Sequence, residues 1–268
     1  MAKKYLIGVD VGVSFIKAGI YDFEGNNIAT AVKNNPGDYP GPGIFIQSSN
    51  EMASIVIAAI KESVEKSMLT SPDIEAIGFS GAMGGLMGID EKWQPCAEWS
   101  IISDTRYYPY LSALKKEAGN EILEISGTNF PVFAPKMLWW KNDFPEIYAR
   151  TVKFIGICGF IIGKLGNLKP CDAFIDRTIS MFSGVTDLAK NTWSDKLCAR
   201  FGIDKDRLPA IVKPDSIVAY LSGEAASKCG LKPGIPLVAG AGDKAAGNLG
   251  VGLVEKGMLV DEAATYGA

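Results

Sequence analysis

The chain has 268 residues, 47% of them apolar and 21% charged, enough to bury a sizeable core in one large domain or two small ones. A formal charge of −3, with no long Lys/Arg run, argues against a nucleic-acid or membrane-surface partner. Histidine is absent, which excludes Ser-His-Asp and Cys-His nucleophile systems, HExxH metal sites and imidazole acid–base chemistry. Any catalysis must use carboxylates, Lys, Arg or backbone dipoles.

In chain order, Tyr5–Val11, Phe15–Asp22 and Asn27–Lys33 read as consecutive strands, with Gly12 and Gly25-Asn26 punctuating hairpin turns. Asp10 interrupts the opening apolar stretch too early for a signal-peptide core. After a Pro/Gly loop from Pro36 to Gly43, Asn50–Ser67 reads as an amphipathic helix with Met52, Val56 and Ile60 on one face. Ile74–Ser80 and Gly85–Ile89 read as strands, and Tyr107 to Leu165 as mostly helical with breaks at Gly119, Gly127 and Pro131. Within it, Phe154 to Ile162 is apolar but too short to span a bilayer. Asp172–Ser180 and Asp195–Phe201 read as helices; Pro236–Ala241, Lys244–Val251 and Met258–Ala264 read as strand, helix and strand. Five cysteines, none in a CxxC pair, indicate neither a disulfide framework nor a zinc site, and point to a reducing cytoplasm.

Two glycine-rich acidic turns stand at opposite ends of this order. In Asp10-x-Gly12-x-Ser14-x-x-Lys17, small residues let backbone N–H groups line an anion site. Asp10 would repel phosphate but can hold Mg²⁺ through water, and Lys17 adds positive charge. The plainer alternative is a hairpin turn with an exposed Asp and Lys. In Gly240-Ala241-Gly242-Asp243, the carboxylate of Asp243 follows a strand and opens a helix, where its plain role is an N-cap. Gly240-x-Gly242-x-x-Ala245, with Asp261 downstream, also fits a nicotinamide-binding turn, so an oxidoreductase stays open on this segment alone. Asp104 and Arg106, two apart, would point to the same side of an extended segment and suit a polyol; as a surface ion pair they would mean little.

Taken in order, these segments resemble the FGGY carbohydrate kinases, xylulokinase-like branch, within the actin-like ATPase superfamily. Ile77 to Gly85 is similar to the family's sugar-contacting strand and turn, Ser103–Arg106 to the end of W-x-D-x-R, and Ala134–Asn142 to the P-K-x-x-W helix. Asp176-Arg177-Thr178 through Leu208-Pro209, Gly242–Gly247 and Ala264–Gly267 follow later motifs, so the resemblance covers essentially the whole chain.

The resemblance implies an α/β fold, ribonuclease H-like, with a mixed five-stranded sheet flanked by helices and an inserted, mostly helical substrate region. It implies that residues 1–252 are a sugar-binding domain and that 253–268 hold the first strand of a nucleotide-binding domain. Members are about twice this length, so the expectation is an N-terminal fragment that transfers phosphate poorly alone, because closure assembles the site. The implied activity is ATP-dependent phosphorylation of a sugar or polyol hydroxyl, with ATP and Mg²⁺ as cofactors and a homodimer left open. Asp243 would be the catalytic base; Asp10, Gly12, Ser14, Lys17, Thr265 and Gly267 would handle the metal and phosphates. Ala82, Met83, Gly84, Asp104, Arg106 and Asp243 would meet the acceptor. Phosphoryl transfer needs mainly positioning and charge neutralisation, so such a set suffices without histidine. Relatives carry polar side chains where this chain has Ala82-Met83-Gly84, and a Trp where it has Ile102, so no particular sugar carries over. A non-catalytic sugar sensor on the same fold remains the other reading.

Overall fold

A computed structural model describes residues 4–69 and 73–260. Tyr5–Val11 (β1) alternates: Tyr5, Ile7, Val9 and Val11 are buried, while Leu6, Gly8 and Asp10 face the other way. That period of two, continued through Phe15–Asp22 (β2) and Asn27–Asn34 (β3), gives an antiparallel meander with one greasy face. Asp38–Gly41 (β4) and Ile44–Ile46 (β5) form a short ribbon within the Pro/Gly loop. Ser49–Ser67 (α1) begins where the Ser48 hydroxyl accepts from the Glu51 N–H and stops at Met68 in left-handed conformation. It lays Met52, Val56, Ala59 and Ile60 on the meander, each large side chain contributing about 2 kcal/mol by burial.

Ile74–Gly81 (β6) pairs in parallel with β1. Leu86–Ile89 (β7), Pro95–Ser100 (β8) and, much later, Lys153–Ile155 (β9) make a separate three-stranded sheet. Between them lie Tyr108–Ser126 (α2), Phe133–Asp143 (α3) and Pro145–Arg150 (α4), followed by Ile157–Gly166 (α5). Gly119 only kinks α2, through non-helical Ala118, and the true stop is Gly127. The expected helical run is interrupted by β9, because Phe154 and Ile155 are buried against β7.

The segment expected as a helix over Asp172–Ser180 is instead a strand, Phe174–Asp176 (β10), and a single turn, Arg177–Ser180 (α6). Asp176 ends the strand by accepting from the Thr178 and Ile179 N–H groups, and β10 finds its partner only at Ala210–Val212 (β13). Thr186–Asp187 (β11) and Thr192–Trp193 (β12) form a hairpin before Asp195–Phe201 (α7), which the sequence places correctly.

Ile217–Tyr220 (β14), Gly223–Cys229 (α8), Pro236–Gly242 (β15) and Asp243–Gly250 (α9) complete the order. The main sheet runs β14-β15-β6-β1-β2-β3, six strands rather than five. The added strand, β14, is a short, largely exposed edge that carries little alternation and is set by antiparallel pairing to β15. Met258 to Val260 form no strand, and the remainder of that expected element lies outside the described residues. Helices α1, α5 and α8 cover one face of the sheet over one core; α2, α3, α6 and α7 enclose a second. Among the described residues, no helix is long and apolar enough to cross a membrane.

Candidate active site

Strands β1, β6 and β15 are parallel, so their carboxyl ends open on the same edge of the sheet. Pairing puts Asp10 beside Ser80, and Ser80 beside Ala241, two residues before Asp243. Strands two places apart are separated by about 10 Å, room for a phosphate chain and an alcohol but not for direct contact. A bulge between Val238 and Ala241 adjusts the last residues of β15. It requires Gly240: φ is +75°, and a methyl there would lie 1.7 Å from the Phe79 carbonyl oxygen.

One cleft of about 530 Å³ is lined by Asp10 and Lys17 of the first hairpin, Ser80 of β6, Gly240, and Ala246 and Gly247 of α9. The Lys17 ammonium lies 3.3 Å from the Asp10 carboxylate, both side chains partly exposed. Asp243 is the first residue of α9 rather than its N-cap, which is Gly242; its carboxylate accepts from the Lys244 N–H at 2.8 Å. Convergence also shows at the buried Cys158 thiol. Burial pushes its pKa up, and the negative charges of Asp176, Asp10 and Asp243 push it further, so all three carboxylates lie within electrostatic reach of it.

The turn after β1 is held in a specific orientation. The Gly12 carbonyl accepts from the Asn35 side chain at 2.8 Å, the Val13 carbonyl from the Gln47 side chain at 2.8 Å, and the Ser14 carbonyl from the Asn35 N–H at 2.9 Å. In trans peptides the N–H opposes the preceding C=O, so the amides of Val13, Ser14 and Phe15 point away from these anchors. A methyl at Gly12 would lie 2.7 Å from the Phe15 carbonyl oxygen. Ser14 itself lines a neighbouring hollow with Asn35 and Tyr39 rather than the main cleft. Asn35 and Gln47, both buried, escaped the sequence reading; the only signal was the Asn-Asn-Pro punctuation after β3.

The segment expected to meet the acceptor follows β6. The Ala82 N–H donates to the Val11 carbonyl, the Met83 side chain covers Gly242, and Gly84 sits against Ile102. These residues therefore bridge the first hairpin, the Asp243 turn and the loop carrying Asp104. Asp104 is fully buried and does not meet solvent; it accepts from Arg106 Nε at 2.8 Å and Nη2 at 2.6 Å, and from the Ser100 hydroxyl at 3.2 Å. The guanidinium, whose side chain is 34% exposed, lies over the Trp139 ring at 4.8 Å. The pair is thus neither a surface ion pair nor two equivalent contacts: Asp104 holds and Arg106 presents. Thr178 adds a support, its hydroxyl accepting from the Gly242 N–H at 2.9 Å. Thr265, Gly267 and the Asp261 of the nicotinamide reading lie outside the described residues.

The cleft thus lies at strand ends of an α/β domain, between an antiparallel glycine hairpin and a Gly-Asp helix start. The N-terminal domain model of the FGGY family of carbohydrate kinases matches residues 5–250, and the chain belongs to that family. The xylulose kinase of Bacillus subtilis is 27% identical over 266 residues, 98% of this chain and 52% of that protein. The gluconokinase of Bacillus licheniformis is 29% identical over 269 residues, again 98% of this chain and 51% of the relative. The gluconate kinase structure from Lactobacillus acidophilus superposes with a TM-score of 0.82 at 25% identity, covering 90% of this chain and 48% of that one. The xylulose kinase structure from Rhodospirillum rubrum, TM-score 0.86 at 21% identity over 95% and 52%, shares the fold. The chain spans about half the length of the curated relatives it matches.

Proposed function

We propose that this chain supplies the acceptor and base side of an ATP-dependent phosphorylation of a sugar or polyol hydroxyl. The observation that carries the reading is the single cleft lined both by the Asp10–Lys17 hairpin and by α9, the helix that Asp243 begins. Asp243 takes the proton of the acceptor hydroxyl as its oxygen attacks the terminal phosphoryl group. The amides of the Gly12–Ser14 turn and the Lys17 ammonium hold phosphate oxygens. Arg106, steadied by Asp104, donates to acceptor hydroxyls, and Ala82-Met83-Gly84 form an apolar wall.

The donor set fits Mg²⁺ held largely by water and phosphates. Asp10 is one accessible carboxylate, and among the described residues no three His, Cys, Asp or Glu side chains cluster as a metal cage. When bound there, the ion would neutralise phosphate charge. Residues 1–252 act as the acceptor domain, residues 253–268 lead into the nucleotide-binding domain, and the cytoplasm is the setting. The nicotinamide reading gives way to the family match over residues 5–250, and it leaves the Asp10–Lys17 hairpin without a role.

Substrate identity stays at the class of sugars and polyols, because xylulose kinases and gluconokinases are about equally similar. Screening pentuloses, hexuloses, polyols and aldonates for acceptor-dependent ADP formation by the full-length protein tests the reading. A transferase shows turnover that Asp243→Asn abolishes without unfolding. The sensor alternative, which rests on the apolar Ala82–Gly84 turn, predicts acceptor binding with no turnover.

A further inference from the structure

Lys136, on α3, is fully buried and has no part in the chemistry proposed above. Its Nζ donates to the Ser100 carbonyl, to the Ser100 hydroxyl at 2.9 Å and to the Ile101 carbonyl at 2.8 Å. Three acceptors match the three N–H bonds of an ammonium; a neutral amine could accept from the Ser100 hydroxyl only by taking that hydrogen away from Asp104. Burial draws its pKa well below the usual lysine range, and the Asp104 carboxylate opposes that pull. The Ser100–Asp104 bond and the nearby Asp104 charge favour the ammonium.

The contacts form one relay. Lys136 donates to the Ser100 hydroxyl, that hydroxyl donates to Asp104, and Asp104 accepts two bonds from the Arg106 guanidinium. Trp139, three residues along α3 and so on the same helix face, supports the guanidinium from below. One helix therefore grips the acceptor loop twice, at its root and at its tip. Among the described residues, Arg106 Nη1 makes no hydrogen bond, which leaves two donors for a ligand.

We infer that Lys136 is a positioning residue for acceptor recognition, acting through Ser100 and Asp104 to fix the direction in which Arg106 presents its donors. The inference rests on the acceptor role proposed for Arg106. Without the ammonium, the Ser100 carbonyl loses a donor, the Ile101 carbonyl keeps only the Asp104 N–H, the Ser100 hydroxyl is free to turn away, and Asp104 loses a bond that sets its plane. A guanidinium fork recognises hydroxyls by geometry, so the loss falls on the acceptor and not on the nucleotide.

The test is steady-state kinetics of the full-length protein with its best acceptor from the screen. Lys136→Met should raise the acceptor KM about tenfold and leave the nucleotide KM unchanged. Ser100→Ala, which keeps both carbonyl bonds, should raise the acceptor KM about threefold by the same scale. An unchanged acceptor KM in either folded variant overturns the inference, as does an equal change in both KM values. If Lys136→Met does not fold, Ser100→Ala decides alone. If the wild type turns over no acceptor, the functional reading fails instead. Calorimetric sugar binding by wild type and Ser100→Ala then judges the relay by the same ratio, and no sugar binding by the wild type overturns both.

Discussion

Asp10 stands at a strand end with 37% of its side chain exposed and one loose lysine partner, whereas Asp104 has no exposed surface and is tied to Arg106 and Ser100. The sheet edge is therefore a set of groups aimed at a cleft, while the acceptor loop is already assembled. The difference fits the tasks proposed for them. Groups that handle phosphate must stay hydrated until a highly charged ligand arrives, and burying them unpaired would be costly. An acceptor site that discriminates among polyols gains from donors fixed in advance.

The contrast breaks first at Asp243. In the full-length protein, Asp243→Asn should lower kcat by about 10³-fold, the scale of a lost general base, with an unchanged melting midpoint. Stability should show the opposite ranking. Asp104→Ala strands the buried Lys136 ammonium and frees the partly exposed Arg106 guanidinium, and should cost about 3 kcal/mol in urea unfolding. Next comes Gly240→Ala, where a methyl would overlap the Phe79 carbonyl at positive φ; a loss above about 2 kcal/mol is expected by the same measurement. Asp10→Ala, which removes only an exposed pair, should stay within about 1 kcal/mol.

The smallest effect is a pH dependence at Asp176, which supports the Asp243 turn through Thr178. Burial raises its pKa above the ordinary 3.8, against hydrogen bonds from Thr178 and Ile179 that lower it. A raised acid favours the folded state while protonated. Its contribution is complete below 3.8 and is lost as pH rises through the folded titration. Asp176→Asn should thus gain stability relative to wild type between about pH 3 and pH 7. A difference constant with pH would contradict the burial.

Local pattern made the meander, α1 and α7 readable, since alternation in β1 and the 3.6-residue period in α1 are written in consecutive residues. The Asp10, Lys17, Gly240 and Asp243 positions were legible because strained or charged turns need particular residue types. What depends on distant partners was not. β10 looks helical until β13 pairs with it, β9 hides in an apolar run, and β14 exists through β15. Asn35 and Gln47 acquire meaning only when β2–β3 pairing and the β4–β5 ribbon, respectively, bring them to the Gly12 turn. The Asp104–Arg106 spacing was visible, but its buried, one-sided arrangement needed Ser100 and Lys136, which the sequence keeps 36 residues apart.

The central claim is that Asp10 and Asp243 work across one cleft in different roles, which the Mg²⁺ dependence of acceptor phosphorylation by the full-length protein reads directly. Asp10→Asn should need more Mg²⁺ for half-maximal rate and recover turnover when it is supplied, whereas Asp243→Asn should stay slow at every concentration. Wild-type Mg²⁺ dependence in the first variant, or recovered turnover in the second, would contradict the account.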